Sequence, residues 1–269
     1  LVIGPGGENL VKFGCIMSGE RVCGRCGLGA VMGSKNLKAV QAKGSIKIPI
    51  ADHEGFKKLE KQWREVLKGH PITGDSVPKY GTAEFLNKLS ISHTLPTKNF
   101  DRGHYEHSEK ISGEELTEKY LVKNTGCVSC PIRCGRIVEL DGKKVRGPEF
   151  ETLGMFGSNM LVDSIPKVSE WNRQMDLLGI DTISCGGVIG FAMELTEKGL
   201  LDSDLEFGKT ENISKTIEDI AYRRGLGDDL AEGVRAMSEK YGGKEFAIHV
   251  KGLEMAAYEP RGAIGMGLG

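Results

Sequence analysis

Aromatic residues are scarce, 6% of the chain with only two tryptophans, and charge of neither sign is in excess, with 36 basic against 37 acidic side chains. That balance excludes the basic field that binding to nucleic acid or to an anionic membrane surface would need. Long hydrophobic runs are absent too: none approaches the ~20 residues of a membrane span. The opening Leu1-Val2-Ile3-Gly4-Pro5-Gly6-Gly7 lacks the charged start of a signal peptide. Seven cysteines in 269 residues are too sparse for a disulfide scaffold, so a reducing cytoplasm is the default setting. What is present, 39% hydrophobic and 27% charged residues, suits a soluble globular protein of one large or two modest domains.

Three of the cysteines are packed into Cys127-Val128-Ser129-Cys130-Pro131-Ile132-Arg133-Cys134. A C-x2-C-x3-C run beside a proline lets one tight loop aim each thiolate at a different iron of a single cubane. Three ligands leave one corner open, and Cys15, Cys23, Cys26 and Cys185 offer no obvious closing partner. A structural zinc knuckle also begins with C-x2-C and stands as the alternative, although zinc would want a second close pair. Cys23-Gly24-Arg25-Cys26 has thiol-disulfide spacing, but no thioredoxin-like β-α-β pattern surrounds it, so it reads as a decoy.

The texture of the chain changes near Pro49. Residues 1–48 are glycine-rich, and runs such as 12–17 and 37–40 suit short strands and turns rather than long helices. Residues 49–269 are mostly helical, which makes the fold class α+β, a short glycine-rich β portion followed by a mostly α-helical body. Asp52 is placed to cap a helix carrying Phe56, Leu59, Trp63, Val66 and Leu67 at helical spacing, with Gly69 as its stop. Residues 70–112 read as loops with a short helix around 82–89. Helical patterns return over 169–178, 188–198, 214–224 and 228–241, with Gly179, Gly199, Gly225 and Gly242 where left-handed C-caps are expected.

Gly24 to Lys38 packs glycines at a density that lets backbone N–H groups approach an anion, and Ser34, Lys35 and Lys38 add donors and charge. It contains neither a P-loop nor a dinucleotide fingerprint, so a glycine-rich turn between strands explains it as well. The stretch nevertheless resembles the glycine-rich signature of the tungsten-dependent aldehyde:ferredoxin oxidoreductase family. It is followed, as in that family, by the C-x2-C-x3-C loop. Asp176-Leu177-Leu178-Gly179-Ile180-Asp181 is similar to the family's pterin-binding Asp-x-x-Gly-Leu-Asp, with Ile180 in place of leucine. Tyr258-Glu259-Pro260-Arg261-Gly262 and the Gly265-Met266-Gly267-Leu268 beyond it resemble the family's Tyr-Asp-Pro-Arg-Gly leading into Gly-Met-Gly-Leu.

The resemblance implies an enzyme that oxidises small aldehydes to carboxylates with water at a tungsten, or less typically molybdenum, bis-pterin centre. A [4Fe-4S] cluster on Cys127, Cys130 and Cys134 would pass electrons to ferredoxin, and Mg2+ would bridge pterin phosphates near the glycine-rich run. Arg25, Gly27, Gly29, Ala30, Ser34, Lys35, Asp176, Gly179, Ile180, Asp181 and Arg261 are the implied cofactor contacts. Glu151 is the implied general acid/base, with Glu149 as the fallback. On this view residues 1–48 are the tail of an N-terminal pterin-binding β domain, 49–269 are helical domain with the cluster loop and pterin motif, and the chain is a fragment lacking the fourth cluster cysteine. Cys26 departs from the family's usual glycine, and Cys185 reads as packing. Some members join subunits through an iron held by Glu and His; Glu170 lies where that glutamate would fall, but Arg173 follows and no histidine is near, so no bridging iron is expected, while a homodimer stays compatible. The alternatives are a relative that reduces an acid or acyl thioester in an electron-transfer complex, and a non-catalytic iron-sulfur or zinc module.

Overall fold

The computed structural model describes residues 1–19 and 21–268. Helix accounts for 48% of the chain and strand for 12%, the strands gathered in small sheets, which is the expected α+β architecture. The first sheet is antiparallel, Val2–Ile3 against Ile16–Ser18 against Arg21–Cys23, with Ile3 facing Ile16 and Ile16 facing Cys23. The 37–40 run, expected as a strand, contributes only a single bridge from Ala39 to Val2. The glycine-rich stretch is not a turn between strands. It holds a helix, Leu28–Ser34, entered through Gly27 at φ +67°. Close approach is what Gly33 provides there, since a Cβ at that position would stand 1.9 Å from the Gly7 carbonyl oxygen.

The helix His53–Gly69 runs as its spacing predicts and starts at Asp52, whose Oδ1 accepts from the Gly55 N–H at 2.9 Å. No residue of it is buried: Phe56, Leu59, Trp63 and Val66 are 53%, 66%, 62% and 61% exposed. Amphipathic periodicity therefore located the helix without locating what it packs on. In the 70–112 stretch, the expected short helix forms as a 3-10 turn at Thr82–Glu84 running into Phe85–Ile91.

A second antiparallel sheet, Leu121–Thr125, Gly135–Leu140 and Lys143–Arg146, carries the cysteine loop between its first two strands. Its strands are not among those expected from the sequence. Its signal was Asp141-Gly142, both left-handed at φ +49° and +72°, the two-residue hairpin turn whose hand matches strand twist.

Behind this sheet the helices Phe150–Phe156, Ile165–Leu178 and Thr182–Glu197 close around a core that includes Met155, Phe156, Trp171, Val188 and Phe191. Two of these helices begin earlier than expected. Ser164 caps the first through the Lys167 N–H, with Pro166 in its opening turn where a proline lacks nothing. Asp181 caps the second, and Gly186 lies inside the helix because a Cβ there would meet Met155 Cβ at 2.6 Å. The expected 214–224 helix is Ile213–Tyr222, ended by left-handed Arg223 rather than by Gly225. The expected 228–241 helix is broken into Leu226–Leu230 and Val234–Tyr241, because Gly233 at φ +88° interrupts it.

The two portions of the chain meet along a seam that includes the turn at Gly179. Gly14 bridges Ile180, the Cys15 N–H donates to the Gly179 carbonyl at 2.8 Å, and the Asp181 N–H donates to the Phe13 carbonyl at 3.0 Å. Gly179 closes the preceding helix at φ +67°, and a Cβ on it would lie 2.7 Å from the Gly4 nitrogen. Only glycine meets both demands.

Candidate cofactor site

That junction shapes a cavity of about 220 Å³ walled by Val22, Gly24 and Arg25 from the glycine-rich portion and by Arg146, Glu149, Glu151, Thr152, Asn172, Asp176, Ile180 and Asp181 from the helical body. Larger hollows exist, 610 Å³ beside Lys215 and Asp219 and 410 Å³ beside Glu170 and Arg173, but neither gathers the motif residues. Glu170 in the second pairs with Lys167 at 3.3 Å.

Asp181 does two jobs at once. As N-cap it accepts from the Ile183 and Ser184 N–H groups at 3.2 and 3.1 Å, and its Oδ2 lies 3.5 Å from Arg25 Nε. Burial raises its proton affinity above the ordinary carboxylate range, and Arg25 and the two N–H donors offset part of that. Asp176 is raised for the same first reason, desolvation, against the opposing pull of Arg146, whose Nη1 donates to both carboxylate oxygens at 3.1 and 3.3 Å. Glu151 sits in the first turn of Phe150–Phe156, accepts the Ala257 N–H at 2.8 Å and is likewise raised by burial. Its neighbour Glu149 is tied differently, accepting from Thr82 Oγ1 at 2.6 Å and standing 3.7 Å from Arg21.

Two donors on this wall have no hydrogen-bond partner although they are buried, Arg25 Nε and Asn172 Nδ2. Orphaned donors beside three carboxyls of raised proton affinity form an edge that a ligand with both acceptors and N–H donors satisfies, and a pterin ring carries both. The residues present fit that group. The cavity is smaller than the roughly 300–1,000 Å³ of a full ligand pocket, so it has room for the polar edge of one ring system rather than for two whole cofactors.

Several expected contacts converge here and several do not. Arg25, Asp176, Ile180, Asp181 and Glu151 line the cavity, and Gly179 sets the backbone turn beneath it. Gly27 and Gly29 lie at the start of the Leu28–Ser34 helix, Gly29 buried against the Cys15 backbone, with Ala30 in its first turn. Ser34 and Lys35 end that helix, ~10 Å away along its axis, and Ser34 Oγ donates to the Val31 carbonyl. They do not join Arg25. Nor does Arg261, whose guanidinium binds Glu259 at 2.7 and 2.9 Å and the Asp101 carbonyl at 3.2 Å, beside a different cavity. Its segment reaches the site through the Ala257 N–H instead. Arg146 and Asn172 were not among the sequence candidates; Arg146 ends a strand whose hairpin turn was the available signal, and Asn172 had none.

The cysteine loop lies next to this cavity. Thr125 pairs with Gly135 at its base, the Cys130 N–H donates to the Cys127 carbonyl at 3.1 Å, and Ser129 and Arg133 are left-handed at φ +62° and +54°. Cys127 is exposed, while Cys130 and Cys134 are half-buried. Burial and then Glu149 push the Cys134 thiol up, and Arg21 opposes them. Glu149 and Arg21 thus connect the loop to the cavity. Among the described residues no three His, Cys, Asp or Glu side chains converge on a single ion. A cubane does not ask for that, since its ligands attach to separate corners, and three thiols on one pinned loop fit it. Cys23 and Cys26 are free and exposed, whereas Cys185 is fully buried in the core, where packing is its role. No helix among the described residues is long and apolar enough to cross a membrane.

Comparison with known proteins bears on this arrangement directly. The family profile "Aldehyde ferredoxin oxidoreductase, N-terminal domain" matches residues 1–44, and "Aldehyde ferredoxin oxidoreductase, domains 2 & 3" matches residues 58–269. The tungsten-containing aldehyde ferredoxin oxidoreductases of Thermococcus kodakarensis and Pyrococcus furiosus are 47% and 46% identical over 99% of the chain. An aliphatic sulfonate oxidoreductase, WOR-like subunit, of Pyrococcus furiosus is 31% identical over 96%. The chain spans 46% of the length of the first two relatives and 44% of the third. Among solved structures, the active site complex BamBC of benzoyl coenzyme A reductase superposes with a TM-score of 0.79 at 24% identity, over 96% of this chain and 42% of that one, a likeness of fold.

Proposed function

The chain belongs to the aldehyde ferredoxin oxidoreductase family, and from that premise we propose that the cavity at Asp181 holds the polar edge of a pterin in an enzyme that oxidises small aldehydes to carboxylates. When bound, a tungsten bis-pterin supplies the two-electron chemistry, in which aldehyde and water become carboxylate, three protons and two electrons, and a [4Fe-4S] cluster on Cys127, Cys130 and Cys134 relays those electrons singly to ferredoxin. Asp176 and Asp181 accept from ring N–H and amino donors, Arg25 and Asn172 donate with the N–H groups that otherwise have no hydrogen-bond partner, and Mg2+ suits the phosphate oxygens such a cofactor carries.

The observation that carries this reading is Glu151. It is a carboxyl on the same wall, held by one backbone N–H and raised in proton affinity by burial, so it exchanges a proton nearer neutrality than an ordinary glutamate does. In this role it takes a proton from water as the carboxylate product forms. Glu149, tied to Thr82 and Arg21, is the better link to the cysteine loop. A reducing cytoplasm is part of this proposal, and the unpaired thiols at Cys23 and Cys26 are consistent with it.

The test is metal analysis and turnover of the full-length protein purified without oxygen. Tungsten with iron and sulfide is the expected result, and Glu151→Gln should lower aldehyde oxidation at least 100-fold while leaving metal content unchanged. Zinc alone, or a Glu151→Gln variant with wild-type turnover, would overturn the cofactor reading and the proton-transfer assignment respectively.

A further inference from the structure

Two residues after Cys134, Arg136 carries a guanidinium into the floor of the cysteine loop, where it is 3% exposed. Its Nη2 donates to the carbonyls of Val77 and Pro78, each at 3.0 Å, and its Nη1 to those of Arg133 and Gly135 at 3.3 and 3.2 Å. Its Nε is buried without a partner. All four hydrogen bonds go to neutral main-chain oxygens. The carboxylate whose field reaches it, Glu149, is engaged by Thr82 and Arg21.

Carbonyl dipoles ease the burial of a cation without cancelling its charge, and a buried cation whose nearest carboxylate is shared with a second arginine is costly. The guanidinium lies directly against the ligand loop, since two of the carbonyls it binds belong to Arg133 and Gly135, the residues on either side of Cys134. A thiolate-ligated cubane is anionic, and one-electron reduction adds a further negative charge to it. Only the planar fork of arginine reaches four carbonyls at once while delivering a charge that never titrates away.

We infer that Arg136 is an electrostatic positioning residue for the cluster: its fixed charge favours the reduced state, while its hydrogen bonds hold the loop that carries the ligands. The inference rests on the reading of Cys127, Cys130 and Cys134 as cluster ligands.

The experiment is an EPR-monitored redox titration of the full-length protein, with dithionite as electron source, for wild type, Arg136→Gln and Arg136→Lys, alongside iron and zinc content. Arg136→Gln should cut the reduced-to-oxidised ratio at any fixed potential at least tenfold, a fall of 59 mV in midpoint for a one-electron couple. Arg136→Lys, which keeps the charge, should stay within twofold of wild type. A Gln variant with full iron content and an unchanged midpoint would overturn the inference. Should the Gln variant fail to load, the Lys variant decides: loading at the wild-type midpoint supports a role for charge, and failure to load shows that only the shape of arginine mattered and overturns it. Wild-type protein that holds zinc or no iron removes the cluster reading, and the inference falls with it.

Discussion

Asp181 is 6% exposed and takes its contacts from three separate parts of the chain: Phe13, Arg25, and the start of its own helix. Cys127 is exposed, its neighbour Val128 is 98% exposed, and their loop is tied mainly at its base. These regions lie side by side, joined through Glu149, yet one is held by long-range packing and the other by a strand pair and local turns. The difference teaches where substitutions should register as loss of fold and where only as loss of chemistry.

The sharpest way to break the comparison is Asp181→Ala, which removes a helix cap and leaves Arg25 beside the cavity without its carboxylate. It should cost about 3 kcal/mol of unfolding free energy in denaturant titration. A loss under about 1 kcal/mol would mean that the wall is not the rigid half. Gly33→Ala comes next, at about 2 kcal/mol by the same measurement, because its Cβ would meet the Gly7 carbonyl; a neutral result would show that the glycine-rich portion yields freely.

A third prediction concerns pH. Glu151, Asp176 and Asp181 all hold protons more tightly folded than unfolded. What they contribute to stability is therefore present below the ordinary carboxylate pKa and is lost as pH rises from there through the raised folded value. Glu151→Gln has no such loss, so the stability difference between variant and wild type should move in the variant's favour as pH rises through that window. Movement the other way would mean that Arg25 and the Ala257 N–H outweigh burial. The smallest effects belong to the exposed side: Val128→Ser should change stability by less than ~0.5 kcal/mol, and a larger loss would show that the loop is packed after all.

How much of this was legible in the sequence follows the same division. The Asp-x-x-Gly-Ile-Asp motif was legible through its resemblance to the family's pterin motif and, locally, through Gly179 as a left-handed helix end; that Asp181 caps the next helix is visible only in the structure. The α+β class was legible from the change in texture after the glycine-rich start. Convergence was not. Ser34 and Lys35 belong to the same run as Arg25, but the run folds as a helix that carries them to its far end. Arg261 sits in a recognisable motif and spends its guanidinium on Glu259, two residues away. Nothing local announces that the Ala257 N–H, more than a hundred positions from Glu151, completes the site. The His53–Gly69 helix makes the same point in reverse, since a clear apolar stripe over Phe56, Leu59 and Trp63 faces outward in this chain.

The bridge between Gly14 and Ile180 has a thermodynamic consequence. Because the cavity is made by the seam itself, a ligand that fills it binds only the joined state, so loading and assembly are one equilibrium seen from two sides. At a ligand concentration one hundred times its dissociation constant, that coupling holds the seam closed by about 2.7 kcal/mol more than packing alone. If the proposed cofactor fills this cavity, its insertion would act as a late folding step, and the empty protein should open first along the line where Cys15 meets Gly179.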